Sequence, residues 1–160
     1  MREAGKRLPP PRHRVFVCYS RANADWMQRL LVHLGLLHKD NLVDVWSDER
    51  IRPGDDWRAE IDAALAAARF AVLLVSADFY NSVFIRDVEL PGLLTASGAG
   101  GCKVMPLLVS ASRFPSDPAL SRFQAAARDG RTLAAMTAEE AEQVLAYLAA
   151  AIEDEIRRPN

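Results

Sequence analysis

Short apolar runs alternate along the chain with stretches whose apolar residues recur every three or four positions. Val15–Tyr19 is the first run, Val-Phe-Val-Cys-Tyr, and it reads as a central strand buried on both faces. Trp26, Met27, Leu30, Leu31 and Leu34 then share one helical face, with Asn23 expected as the cap and Gly35 weakening the end. Leu42–Trp46 reads as a second strand, and the polar Ser47–Asp56, which holds Pro53-Gly54, as a turn. Trp57, Ile61, Ala64, Leu65 and Ala68 define a second helix, and Phe70–Val75 is the strongest strand signal in the chain.

Ser76–Ser82 reads as a loop. A helix is expected from somewhere near Phe84 toward Ala96, its start left open because Pro91 is easy to place within a first turn and costly in a helix interior. Gly98-Ala99-Gly100-Gly101 ends it, and Val104–Val109 follows as a fourth strand whose Pro106 points to a sheet edge. Residues 111–135 show no period, apart from a short fifth strand expected at Arg131–Ala134. Thr137 and Glu140 form a capping box ahead of a last helix with Ala141, Val144, Leu145, Leu148, Ile152 and Ile156 on one face. Its acidic start and its Arg157-Arg158 end suit the helix dipole.

This alternation predicts an α/β fold, a flavodoxin-like doubly wound sheet of about five parallel strands flanked by helices. Such sheets bind ligands beyond the carboxyl ends of their strands, near the point where the strand order reverses. The loops there are Ser20–Ala22, Ser47–Asp56, Ser76–Ser82 and Ser110–Pro118.

Composition narrows the partners. A net charge of −1 gives no global field that would draw in nucleic acid or an anionic membrane. No apolar run approaches the roughly 18–20 residues that span a bilayer. Cys18 and Cys102 sit in or beside apolar runs and read as buried reduced thiols, which points to the cytoplasm. They have no metal-type spacing, and His13, His33 and His38 make no ligand pair, so neither a zinc site nor any other cofactor is expected. Residues 1–13, charged and then proline-rich, read as a flexible leader, residues 14–157 as the domain and 158–160 as a tail.

The first turn, Tyr19-Ser20-Arg21-Ala22-Asn23, has no glycine, which argues against a dinucleotide-binding Rossmann turn and a P-loop. The third strand ends in Ser76 rather than the Asp of a phospho-acceptor receiver domain. Val15-Phe16-Val17-Cys18-Tyr19-Ser20, in contrast, resembles the opening strand of Toll/interleukin-1 receptor (TIR) domains. Val45-Trp46-Ser47-Asp48-Glu49-Arg50-Ile51-Arg52-Pro53-Gly54 resembles their second strand and following loop. Trp57-Arg58-Ala59-Glu60-Ile61 matches the start of their second helix, and Val72–Tyr80 with Ser82 and Glu89 resembles their third strand and the Ser/aromatic/Glu segment after it. The order and spacing hold over roughly residues 14–156 and are closest to bacterial members.

The resemblance implies one of two roles. Some TIR domains assemble with others as scaffolds, or mimic a host adaptor. Others cleave the nicotinamide–ribose bond of NAD+ once self-assembled, as immune or antiphage effectors switched on by a sensor domain or partner protein. In the enzymes NAD+ is the substrate and one Glu in the helix after the third strand does the chemistry; the matching residue is Glu89. A carboxylate beside the ribose stabilises oxocarbenium character, and the cationic pyridinium leaves without a strong acid. Glu89 lies four residues after Ile85 and four before Leu93, an apolar helical line that would desolvate it. The usual pattern has an aromatic residue four before the Glu, whereas Phe84 is five before; either the segment holds one extra residue or the register differs. Asp87 is the second carboxylate of the segment, expected rather as a helix cap.

Ser20 and Arg21 fall where family members line the nucleotide pocket. Ser82 and Phe84 extend the expected substrate contacts, and Phe79 and Tyr80 either stack on the base or nicotinamide or pack in the core. Trp46, at a strand end, divides between core and pocket. Arg50, Arg52, Pro53, Gly54 and Asp55 form the loop that, by the resemblance, gates the pocket and joins neighbouring domains, its mixed charges suiting head-to-tail contact. A ligand-binding flavodoxin-like domain is the third reading.

Overall fold

A computed structural model describes residues 13–98 and 100–158, so all of the expected leader except His13, and the end of the tail, lie outside the described residues. Four strands, β1 (His13–Cys18), β2 (Val43–Trp46), β3 (Ala68–Val75) and β4 (Lys103–Leu108), pair in parallel in the order β2-β1-β3-β4. Helices α1 (Ala24–Lys39), α2 (Trp57–Ala67), α3 (Ala77–Asn81), α4 (Leu90–Gly98) and α5 (Ala138–Arg157) connect or follow them.

Successive strand residues point to opposite faces, and this sorts the core into two layers. Val15, Val17, Phe70, Val72 and Leu74 pack with α1 and α5 through Met27, Leu30, Leu34, Leu145 and Leu148. Phe16, Cys18, Ala71, Leu73 and Val75 pack on the other face with Ile61 and Leu65 of α2 and Leu93 of α4. Both faces of β1 and β3 are covered, which is why their sequences run as continuous apolar blocks.

The expected fifth strand at Arg131–Ala134 does not form. Leu133–Ala135 is a single 3-10 turn. The chain crosses the outer edge of β4 with two separate backbone bonds, Ala126 N–H to Pro106 O at 2.9 Å and Ala134 N–H to Val109 O at 2.9 Å. Pro106 has no N–H to give to that edge, so a full ladder would lack a rung.

Three local expectations also shift. Asn23 makes no side-chain cap to α1, and the cap belongs one turn earlier, where Ser20 Oγ accepts from Ala22 N–H. Gly35 does not shorten α1, which continues to Lys39. The loop expected at Ser76–Ser82 contains the helical turn α3, opened by Ser76 Oγ accepting from Phe79 N–H at 3.0 Å. The capping box at Thr137 and Glu140 forms in full.

Candidate active site

The strand order reverses between β1 and β3, and their carboxyl ends, Cys18 and Val75-Ser76, mark the point where an α/β sheet opens a crevice. Ser76 ties the two turns together, its hydroxyl donating to Asn23 Oδ1 at 2.6 Å. This bond is what Asn23 does instead of capping α1.

Beyond α3 the helix restarts at Val83, anchored by Ser82 Oγ accepting from Ile85 N–H at 3.2 Å. Ile85–Glu89 is then a π-helical turn, closed by Leu90 N–H bonding Ile85 O, before α4 continues. A π turn holds one more residue than an α turn, and such insertions are frequent at functional sites. Phe84 and Glu89, five apart in sequence, are therefore separated by one widened turn. Of the two alternatives, an extra residue or a different register, the π turn corresponds to the first, and Pro91 follows it as the second residue of α4. Asp87 caps nothing; it is exposed on the π turn and paired with Arg86 at 3.3 Å.

Glu89 is 1 % exposed and, among the described residues, is buried together with only two other polar or charged ones, Ser47 and Ser76. Its Oε1 accepts a hydrogen bond from the fully buried Cys18 thiol at 3.2 Å. No cation forms a salt bridge with it among the described residues. Burial pushes its carboxyl up to about 8, and the charge of Asp48 adds to the rise; the Cys18 hydrogen bond and the Arg21 charge oppose it. The Cys18 thiol is raised well above its usual range by burial and then by Glu89, so it stays protonated and is the donor of the pair.

A cleft of about 540 Å³ is lined by Tyr19, Ser20, Arg21, Asp48, Ile51, Ser82, Phe84 and Ile85; Cys18 and Glu89 lie behind this lining, next to Tyr19 and one π turn beyond Ile85. That volume is in the range of small-molecule sites. Arg21 Nη2 and Asp48 Oδ1 stand 3.5 Å apart, joining the turn after β1 to the turn after β2. Four expected contacts, Ser20, Arg21, Ser82 and Phe84, line the cleft, and Glu89 lies buried beside it.

Three others are placed elsewhere. Trp46 is 4 % exposed and stacks on Phe16 with centroids 5.2 Å apart. Phe79 is fully buried in the α2/α4 layer. Tyr80 packs edge-on against Phe79 and donates its hydroxyl to Asp117 Oδ2 at 2.8 Å. Each follows from strand or helix phase: the aromatic ring faces the core, and the Tyr80 hydroxyl finds its polar partner in Asp117.

The Arg50–Asp55 loop is ordered by its own bonds. Arg50 Nη1 reaches Asp44 Oδ1 at 3.1 Å and Val45 O at 3.2 Å, Asp55 Oδ2 accepts from Arg52 N–H at 2.9 Å, and Gly54 takes φ +93° after Pro53. Trp57 at the start of α2 lies with its ring 5.8 Å from Phe84, so this loop leads directly to the Glu89 helix. Sequence reasoning missed Cys18, Asp48 and Ile51 as parts of the site. Period-two counting from Phe16 puts Cys18 on the α2/α4 face, the one available signal.

A larger cleft, about 880 Å³, lies at the amino ends of β3 and β4. Glu155 there engages Lys103 at 3.4 Å and Arg158 at 3.6 Å, and Cys102, raised to about 11 by burial, stays a thiol. It contains no buried carboxylate, so size does not make it the reactive site.

The TIR domain family model matches residues 15–151. The chain belongs to the TIR domain family. This TIR domain is 29 % identical over 119 residues to the uncharacterized protein y4lF of Sinorhizobium fredii, covering 74 % of this chain and 36 % of that protein. It is 28 % identical over 99 residues to the NAD(+) hydrolase PdTIR of Paracoccus denitrificans, covering 61 % of this chain and 31 % of that protein. The chain thus spans about a third of the length of these curated relatives. The TIR domain of the Toll-related receptor TRR-2 of Hydra magnipapillata superposes with a TM-score of 0.55 at 16 % identity, over 90 % of this chain and 98 % of that one. This match shows the TIR fold. Among the described residues no helix is long and apolar enough to cross a membrane.

Proposed function

We propose that this TIR domain cleaves NAD+ at the nicotinamide–ribose bond, with Glu89 as the catalytic carboxylate. The observation that carries the reading is a carboxyl 1 % exposed and free of salt bridges among the described residues, beside a cleft at the switch point of the sheet. A fold-stabilising role alone gives no reason to keep an acid there, because an uncompensated carboxylate is costly to bury. The distant likeness to a protein named as an NAD(+) hydrolase supports the same chemistry.

In this reading the C1′–N bond breaks with its electron pair going to the pyridinium nitrogen, which leaves as neutral nicotinamide. The ionised Glu89 stabilises the oxocarbenium ion left on the ribose. Water adds to C1′, its proton passing through the carboxylate to solvent, and ADP-ribose results; attack by a ring nitrogen of the adenine instead gives a cyclic product. The cationic nicotinamide riboside favours the ionised carboxylate on binding. Ser20 and Ser82 offer hydroxyls to the sugar, Phe84 a ring face, and Arg21 a charge for the pyrophosphate.

Glu89 is covered in a single copy, so the reaction needs the cleft to widen. Arg21, Asp48 and Ile51 line the cleft, and Asp48 and Ile51 ride on the loop after β2, so movement of that loop would widen it. We assign the opening to self-association through the exposed Arg50–Asp55 loop. The experiment follows nicotinamide release from NAD+ by dilute and by crowded protein. Release that rises steeply with concentration, and is abolished in Glu89→Ala, supports the reading. Release equal in wild type and Glu89→Ala removes Glu89 from the chemistry, and no release at any concentration leaves an interaction module.

A further inference from the structure

The hydrogen bond between Cys18 and Glu89 joins the central strand to the π turn across 71 residues of sequence, and both partners are buried. A buried thiol among Phe16, Leu73 and Val75 needs no polar partner, since cysteine behaves there as a small hydrophobe. A buried carboxyl does need one. Glu89 has three side-chain torsions to fix. Cys18 has one, and its backbone is held by the β1–β3 register opposite Leu73. The thiol is therefore the rigid member of the pair and the carboxyl the guided one.

We propose that Cys18 is a positioning residue, its S–H holding Oε1 of Glu89 so that Oε2 is left for the reacting sugar; this rests on the reading of Glu89 as the catalytic carboxylate. The surroundings fix the direction of the effect. From β1 the donor is Cys18, from the turn after β1 the charge is Arg21, and from the turn after β2 it is Asp48. On its own helix Arg86 and Asp87 are exposed and pair with each other. Donation by the thiol favours the ionised carboxylate, so loss of the thiol makes Glu89 harder to ionise. Serine keeps a donor at nearly the same place and a hydroxyl is the stronger one.

The test compares wild type, Cys18→Ala and Cys18→Ser by two readouts. One is the titration of the Glu89 side-chain carboxyl, followed by carbon NMR on labelled folded protein without substrate. The other is the pH profile of NAD+ cleavage. In Cys18→Ala the Glu89 midpoint rises by at least about half a pH unit. The acidic limb of the rate profile moves with it, and kcat falls about tenfold with KM nearly unchanged. Cys18→Ser returns both to wild type or slightly below. A Glu89 midpoint unmoved in Cys18→Ala, or raised equally in Cys18→Ser, overturns the proposal. If Cys18→Ala does not fold, the serine result alone decides on the same criterion. Wild type without turnover defeats the reading of Glu89 as catalytic, and with it the role assigned to Cys18, while the carboxyl titration still reports whether the thiol guides Glu89.

Discussion

Replacing Glu89 with Gln isolates the energetic mark of the buried carboxyl. In the unfolded chain this group titrates near its ordinary value of 4.5, and in the folded chain it is pushed up to about 8 by burial. Between those values the folded protein keeps a proton that the unfolded chain releases. Stability therefore falls as pH rises through this window, and the loss is complete above about 8. The interval corresponds to at most ~5 kcal/mol, and relaxation around the ionised group brings the expected loss to roughly 2–5 kcal/mol. Glutamine fills the same space, accepts from Cys18 through its amide oxygen and does not ionise. The variant is expected to match wild type near pH 5 and to exceed it progressively toward pH 9. Urea unfolding of both proteins at several pH values measures this. Groups common to both cancel in the difference, including Glu142, which Arg29 and then His33 pull down to about 2. Curves that stay parallel within ~0.5 kcal/mol across the range would refute the burial argument for Glu89.

The free-enzyme profile of kcat/KM for NAD+ is expected to rise with pH toward a limb near 8, because the ionised carboxylate is the working form; a profile flat from pH 5 to 8 counts against it. Deleting Asp87 removes the surplus residue of the π turn and leaves a regular α-helix, so helix content and thermal midpoint are expected to hold, whereas deleting Gln143 from α5 unfolds the protein. Thr137→Ala removes the hydroxyl half of the α5 capping box, leaving Glu140 Oε1 bonded to the backbone N–H of residue 137, and is expected to lower stability by about 1 kcal/mol in chemical denaturation, with NAD+ cleavage unchanged.

The layers were legible because β1 and β3 carry uninterrupted apolar runs and α5 carries a 3.6-residue stripe behind a capping box. Those signals are local, and local hydrogen bonds or packing execute them. The misplaced pieces depend on contacts distant in sequence. Asn23 looks like a helix cap, but Ser76, 53 residues on, takes its oxygen. Arg131–Ala134 has strand-forming residues, yet the edge it would join has a proline at the matching rung. Phe79 and Tyr80 could not be divided between pocket and core from sequence, since that depends on how α3 is rotated against β3 and on the Asp117 partner of Tyr80. The carboxylate was found from the family pattern, and its unusual spacing from Phe84 became intelligible only as a π turn. Its thiol partner reads as inert in the sequence, because nothing in a lone cysteine announces an acid 71 residues away in the helix packed on the same face of the sheet.

The proline in β4 has a consequence for how copies of this chain meet. A sheet normally offers two margins to which a foreign strand adds. Here one margin lacks a donor at Pro106 and is already occupied at Pro106 and Val109 by Ala126 and Ala134. The other margin, β2, is four residues long and ends at a turn whose Arg50 folds back onto Asp44 and Val45. Neither margin provides the long run of open backbone groups that would template cross-sheet growth. In the self-association proposed above, contacts between copies would therefore run through the side chains of loops and helices rather than through strand addition at either margin.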